Sequence, residues 1–367
     1  MVHLAATRRI ALLAGAGLSA DAGLPMSVEL ARCLRKKLIE RAEISEGTND
    51  AAVSREQAKR WLALFHFLEG GVRFQEGILN RDPGNPVNIE QVAIAAEELH
   101  SRSTNPLAAY AAGWHKRIDE LEAADPGLLR SFVDYTYASV ERELRNPGDV
   151  SYLEGLRDLC SDGSGLDIFS LNYDLCVEKA LSAASEAFVN GFGKDGVWSP
   201  ETFSERGGIH LFKLHGSLDW VDDPIYGLCS LAYPRHENAN TIQGDDTRPH
   251  LVFGTAHKLS AKEPFLTLAY YFSRATLQAP ILAVVGYSFA DEYVNQIIEQ
   301  GMRKNANLRI VIASPNAGEI TKQHAFLDKN PRVSIIAEKA EKVFNKKLLR
   351  EEIRRTLKDA STEAPFK

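Results

Sequence analysis

The chain has 367 residues, 44% of them hydrophobic and 25% charged. That excludes a fibrous or disordered protein and leaves apolar surface for one large domain or two units. Its 43 Lys and Arg against 49 Asp and Glu give a formal charge of −6, the wrong balance for a surface built to neutralise phosphates, so nucleic acid is not an expected partner. No run reaches the roughly 18–20 apolar residues of a membrane span, and Thr7, Arg8 and Arg9 interrupt the N-terminal stretch, so a cytoplasmic protein is expected. Cys33, Cys160, Cys176 and Cys229 form no C-x-x-C pair; reduced, buried thiols are expected and a zinc ribbon is not.

Short apolar runs at Ile10–Ala14, Leu166–Leu171, His210–Leu214, Leu251–Phe253, Ile281–Val285 and Leu308–Ala313 lack polar alternation, the pattern of strands covered on both faces. Several run into a glycine or polar turn and then a helical pattern. The expected architecture is therefore α/β, a doubly wound, mostly parallel, Rossmann-like sheet. Between about Lys36 and Pro147 the strand signal gives way to apolar residues at spacings of three and four, which predicts a helical insertion over 39–147. Within it, Asp82-Pro83-Gly84-Asn85-Pro86 is a turn cluster, and Asn88 with Gln91 can form a capping box. Ser151 with Glu154 offers a second one. The sheet domain is thus expected to be discontinuous, 1–38 and 148–340. A tail over 341–367 closes the chain with one amphipathic helix carrying Phe344, Leu348, Leu349, Ile353 and Leu357 on one face.

Four strand ends carry groups able to do chemistry. The first runs into Gly15-Ala16-Gly17-Leu18-Ser19, where glycines allow close approach to an oxygen-rich ligand and free N–H groups favour negative charge. A ligand-free tight turn is the plainer alternative, and no acidic residue ends a second strand about 20 residues on, as a dehydrogenase would require. The second end carries Asn172 and Asp174; Asp174 can simply cap its helix, whereas a carboxamide leaving an apolar strand needs partners. The third carries His215, able to exchange a proton near neutral pH, although nine other histidines occur in the chain and most lone histidines are structural. The fourth carries Gly286, Ser288 and Asp291, equally readable as a turn and a helix cap.

Taken in order, the segments G-A-G-L-S-A-D-A-G-L-P, L-N-Y-D, K-L-H-G-S, H-L-V-F-G and V-G-Y-S-F-A-D resemble the sirtuin family. The resemblance implies an NAD-binding Rossmann-like domain that breaks the nicotinamide–ribose bond of NAD+, its substrate, without net redox change. It places Gly15, Ala16, Gly17 and Ser19 at the NAD diphosphate and Asn172 and Asp174 beside the nicotinamide ribose. His215 matches the catalytic histidine, while Gly286 and Ser288 fall on the adenosine side and Asp291, able to accept from a ribose hydroxyl, follows the variant of the bacterial branch. Two departures matter. After Pro25 come Met26, Ser27, Val28, Glu29 and Leu30 in place of the aromatic residue and arginine of protein-deacylating sirtuins, and the four-cysteine zinc module that helps build their acyl-lysine cleft is missing. The pattern is similar to the sirtuin-like NAD hydrolases of bacterial antiphage systems. That similarity implies a hydrolase giving nicotinamide and linear or cyclic ADP-ribose, with no metal. It also implies a homo-oligomer gated by an activating partner encoded nearby, an ATPase or nucleotide sensor. An NAD-dependent protein deacylase and a non-catalytic NAD or ADP-ribose sensor are the competing readings.

Overall fold

Strand β1 (Ile10–Ala14) is buried at every position, as its uninterrupted apolar sequence requires of a strand covered on both faces. The computed structural model describes residues 9–43, 54–79, 81–100, 114–160, 165–204, 208–232 and 263–362; the Leu251–Phe253 run and the H-L-V-F-G motif lie outside them. β1 joins β2 (Leu166–Ser170), β3 (Phe188–Val189), β4 (Ile209–Lys213), β7 (Ile281–Val285), β8 (Arg309–Ala313) and β9 (Val333–Ile336) in one sheet. Its order is β3-β4-β2-β1-β7-β8-β9, with every neighbouring pair parallel. The fold is the doubly wound, Rossmann-like α/β arrangement. β5 (Trp220–Asp223) and β6 (Gly227–Ser230) form a separate antiparallel hairpin that the apolar-run pattern did not reveal.

The register brings the strand ends level. Ala14 lies opposite Ser170 and Val285, and Ser170 lies opposite Lys213, so the turns after β1, β2, β4 and β7 leave the sheet along one edge. The chain passes from β1 to β2 on one side and later returns to β7 on the other, which makes the carboxyl edge beside β1 a topological switch point, where open α/β sheets place their ligands. At the amino ends of the strands, Asp167 accepts from Arg9 Nε at 2.6 Å and faces His210 Nδ1 at 3.2 Å. His210 is therefore a structural histidine, buried against Phe203 and Phe212. Beside it, Phe169, Phe203, Phe212 and Phe272 interlock as an aromatic core.

The chain divides into two compact units, residues 1–24 with 144–367, and residues 25–143. Among the described residues the second holds only helices: α1 (Ser27–Glu43), α2 (Arg55–Ile78), α3 (Ile89–His100), α4 (Trp114–Ala124) and most of α5 (Leu128–Leu144). Helical spacing buries Leu30, Leu34 and Leu38 of α1 and Trp61, Leu64, Phe65 and Leu68 of α2, the stripe expected of core-facing helices. Trp61 stacks on Tyr135 at 4.4 Å. The Asn88–Gln91 box is reciprocal, with Gln91 N–H donating to Asn88 Oδ1 at 2.9 Å and Asn88 N–H to Gln91 Oε1 at 3.1 Å. The boundary drawn after residue 38 falls inside α1, which continues without a break to Glu43.

Two local expectations are corrected. Ser151 does not box with Glu154: its hydroxyl donates to Asp149 Oδ2 and its N–H to Asp149 Oδ1, both at 2.9 Å. A carboxylate two residues upstream offers a charge-assisted bond, and the segment Ser151–Cys160 winds as a 3-10 helix. The closing amphipathic helix is two helices, Ala340–Asn345 and Leu348–Thr362, broken where Lys347 takes φ 55°. The break still leaves Phe344, Leu349 and Ile353 buried.

Candidate active site

The glycine loop leaves β1 as two short 3-10 turns, Ala16–Leu18 and Ala20–Ala22, before the helix beginning at Ser27. Gly15 N–H donates to Val285 O at 3.0 Å and Gly17 N–H to Gly286 O at 2.8 Å, so this turn and the one after β7 are bound backbone to backbone. A Cβ on Gly286, whose φ is +66°, would stand 2.3 Å from Leu18 N and 2.4 Å from Gly17 C. The glycines thus answer first to the contact between two turns. The N–H groups of Gly15, Gly17 and Ser19, three of the four residues expected at the diphosphate, donate to protein carbonyls, as does that of Leu18. Ala16 and Ser288 present exposed positions on the two turns.

Asn172 and Asp174 extend the rim. Asn172 Nδ2 donates to Gly15 O and to Ser19 Oγ, each at 3.0 Å, and Ser19 Oγ donates to Asp174 Oδ1 at 3.0 Å. The same Asp174 oxygen accepts from Cys176 N–H at 3.0 Å, at the first residue of the helix Cys176–Ala183, whose N-cap position is Leu175. Ser19, Asn172 and Asp174 are respectively 2%, 7% and 5% exposed, and buried polar groups of this kind persist only when partnered. Burial and the neighbouring Asp174 push the Cys176 thiol well above its usual range, which keeps it protonated and unsuited to nucleophilic chemistry.

His215 sits on the turn after β4, 5% exposed, with Nε2 3.2 Å from Asp291 Oδ2. The Tyr173 ring, between Asn172 and Asp174 in the chain, lies 6.4 Å from the imidazole centroid to centroid, and Leu218 N–H donates to Tyr173 O at 3.0 Å. The β2 and β4 turns are thereby joined. Asp291 also caps the helix Glu292–Lys304, accepting from Tyr293 N–H at 3.0 Å and Val294 N–H at 3.2 Å.

Several groups in this region carry no assigned role in the sequence reading. Lys213, the last residue of β4 and 2% exposed, donates to the main-chain carbonyl of Asp174 and pairs with Glu178 Oε1 at 3.2 Å. Burial raises the Glu178 carboxyl to about 7 despite the opposing pull of Lys213. Tyr152 holds the glycine loop by donating to Leu18 O at 2.6 Å, and burial raises its hydroxyl above the usual range. A lysine closing a buried strand was the one visible signal among these; Tyr152 gave none. Among the described residues no group of three or more His, Cys, Asp or Glu is placed to hold a metal ion, and no helix is long and apolar enough to cross a membrane.

The fold and this rim define a doubly wound α/β protein with a buried polar cluster at its switch point. Residues 167–336 match the SIR2-like domain family, so this stretch of the chain is similar to a SIR2-like domain. The matched span contains Asn172, Asp174, His215, Gly286, Ser288 and Asp291, while the glycine loop precedes it. Among solved structures, a Sir2 homolog–NAD complex is 16% identical, covering 96% of this chain and 90% of that one at a TM-score of 0.42. A mutant Sir2 homologue–ADP ribose complex is 16% identical over 95% and 93% at 0.43. Sir2Tm bound to a propionylated peptide is 11% identical over 94% of each chain at 0.39. No curated protein matches the chain.

Proposed function

We propose that the protein is an NAD+ glycohydrolase that breaks the bond between nicotinamide and ribose. The observation that carries this reading is the buried Ser19–Asn172–Asp174 cluster joined through Tyr173 to His215, in a chain with a stretch similar to a SIR2-like domain. On this reading Ala16 and Ser288 contact the dinucleotide, and Gly15, Gly17, Ser19 and Gly286 shape its cradle. Asn172 and Asp174 flank the nicotinamide ribose.

The leaving group is already good, a cationic pyridinium nitrogen that departs neutral with the electron pair of the C1′–N bond. What remains is to stabilise positive charge on the ribose and deliver water to C1′. Asn172 orients the ribose or the water, Asp174 supplies negative charge beneath it, and neutral His215 takes the water's proton, directly or through a ribose hydroxyl. The products are nicotinamide and ADP-ribose, or a cyclic form if a group within the substrate attacks in place of water. An ungated enzyme of this kind would exhaust its host's NAD, so the motif pattern and the chemistry together support a cytoplasmic effector of bacterial antiphage defence. Its activity would be held in check by homo-oligomerisation and by a partner encoded nearby.

The test is incubation of the purified chain with NAD+, alone and with the product of its genomic neighbour, followed by chromatographic separation of the products. Nicotinamide and ADP-ribose in equal amounts are expected. Asn172→Ala and His215→Ala, shown to be folded by circular dichroism, should each lose on the order of 10²–10⁴ in rate. Nicotinamide released only when an acylated peptide is present would establish a deacylase instead, and saturable binding without turnover under every condition a sensor.

A further inference from the structure

We propose that Asp291 is a positioning residue that orients His215 and balances the charge it acquires, not a contact to the substrate ribose. This inference rests on the glycohydrolase reading. Asp291 is 9% exposed, and both of its carboxylate oxygens are engaged by the protein. Oδ1 accepts the Tyr293 and Val294 N–H groups at 3.0 and 3.2 Å, and Oδ2 lies 3.2 Å from His215 Nε2.

The residue is held as a rigid part. Its N–H donates to the Tyr287 hydroxyl at 3.0 Å, and that hydroxyl also lies 3.0 Å from Asp291 O and from Asn295 Oδ1. Asn295 Nδ2 in turn donates to Phe289 O at 2.7 Å, securing a buried phenylalanine at φ 57°. Side chains other than glycine are uncommon there and persist when surrounding structure over-determines them. Tyr287 and Asn295 thus fix the backbone that aims the carboxylate.

A carboxylate set against one imidazole nitrogen selects the tautomer, fixes the ring plane and stabilises the imidazolium formed when the ring takes a proton. Nε2, the nitrogen 3.2 Å from Asp291 Oδ2, is the one the carboxylate favours as bearer of the ring hydrogen, which makes Nδ1 the acceptor nitrogen of the neutral ring. Tyr173 from the β2 turn and Asp291 from the β7 turn both face His215. The pair thereby couples the N-cap of the helix Glu292–Lys304 to the proton acceptor on the β4 turn.

The experiment compares Asp291→Asn, which keeps the cap oxygen and the shape, with the wild-type chain. Two readouts are taken: steady-state nicotinamide release, and the titration of His215 followed by NMR of histidine-labelled protein, with His215→Ala identifying the signal. Asp291→Asn should lower kcat by about 10²-fold or more, the scale of a misaligned general base, with KM nearly unchanged. The His215 signal should titrate at lower pH than in the wild type. A raised KM with unchanged kcat, or a His215 titration indifferent to the substitution, overturns the proposal. Should the wild type release no nicotinamide in any condition, the glycohydrolase reading fails, while the NMR titration still decides whether Asp291 governs His215.

Discussion

Asn172 Nδ2 stands 3.0 Å from Ser19 Oγ, a contact between the turns of two adjacent strands that lie 153 residues apart in sequence. Because Ser19 also donates to Asp174, one hydroxyl ties together three of the residues expected to meet the substrate. Any slackening there reaches all of them.

Removing that hydroxyl should therefore cost both stability and rate. Ser19→Ala leaves the Asn172 amide and the Asp174 carboxylate each short of a buried partner, at a cost of about 1–3 kcal/mol. A urea melt should show the lowered midpoint, and nicotinamide release measured well below that midpoint should still fall. Full activity in a stably folded variant would show that the hydroxyl is not what holds the cluster together.

Gly286 and Gly23 have similar backbone angles, φ +66° and +79°, yet differ in surroundings: a Cβ meets backbone at 2.3 Å in the first and nothing within 4 Å in the second. Alanine at Gly23 should cost only about 1 kcal/mol, the conformational penalty alone. Alanine at Gly286 adds a clash with Leu18 and Gly17 and should destabilise by clearly more, with the difference visible in chemical denaturation. Equal losses would mean that the two turns can part without consequence.

The buried pair of Lys213 and Glu178 predicts a specific pH dependence. The Glu178 carboxyl, normally near 4.5, is raised to about 7 in the folded protein by burial. Over that window the folded state binds more protons than the unfolded one, so this group's contribution to stability declines as pH rises from about 4.5 to about 7. Glu178→Gln should flatten that part of the stability curve in urea melts at stepped pH. Lys213→Met should destabilise strongly by leaving a carboxyl without its counter-charge, whereas the double substitution Lys213→Met with Glu178→Leu should regain much of the loss, since a buried ion pair can often be exchanged for apolar groups. A double variant no more stable than the single one would count against this account.

Legibility differed between the two levels of structure. The long strands could be read because burial on both faces leaves uninterrupted apolar runs, as in Ile281–Val285. Two-residue β3 and the hairpin of β5 and β6 could not, since short strands that are exposed in part carry mixed sequences. The Asn88 box was legible because both partners lie within four residues of each other. The Ser151 box was misread because a nearer carboxylate competes for the same hydroxyl.

By itself the sequence determined the alternation of strands and helices, the expectation of a helical insertion over 39–147 and the polar groups at the strand ends, because each depends on neighbours within a few residues. Only the tertiary structure decided which of those groups meet. The parallel register levels the ends of β1, β2, β4 and β7, and distances such as His215 to Asp291, Lys213 to Asp174 and Tyr152 to Leu18 follow from that leveling and from packing. Contacts across 39 to 134 residues are fixed by strand order and burial, quantities that no local pattern of side chains encodes.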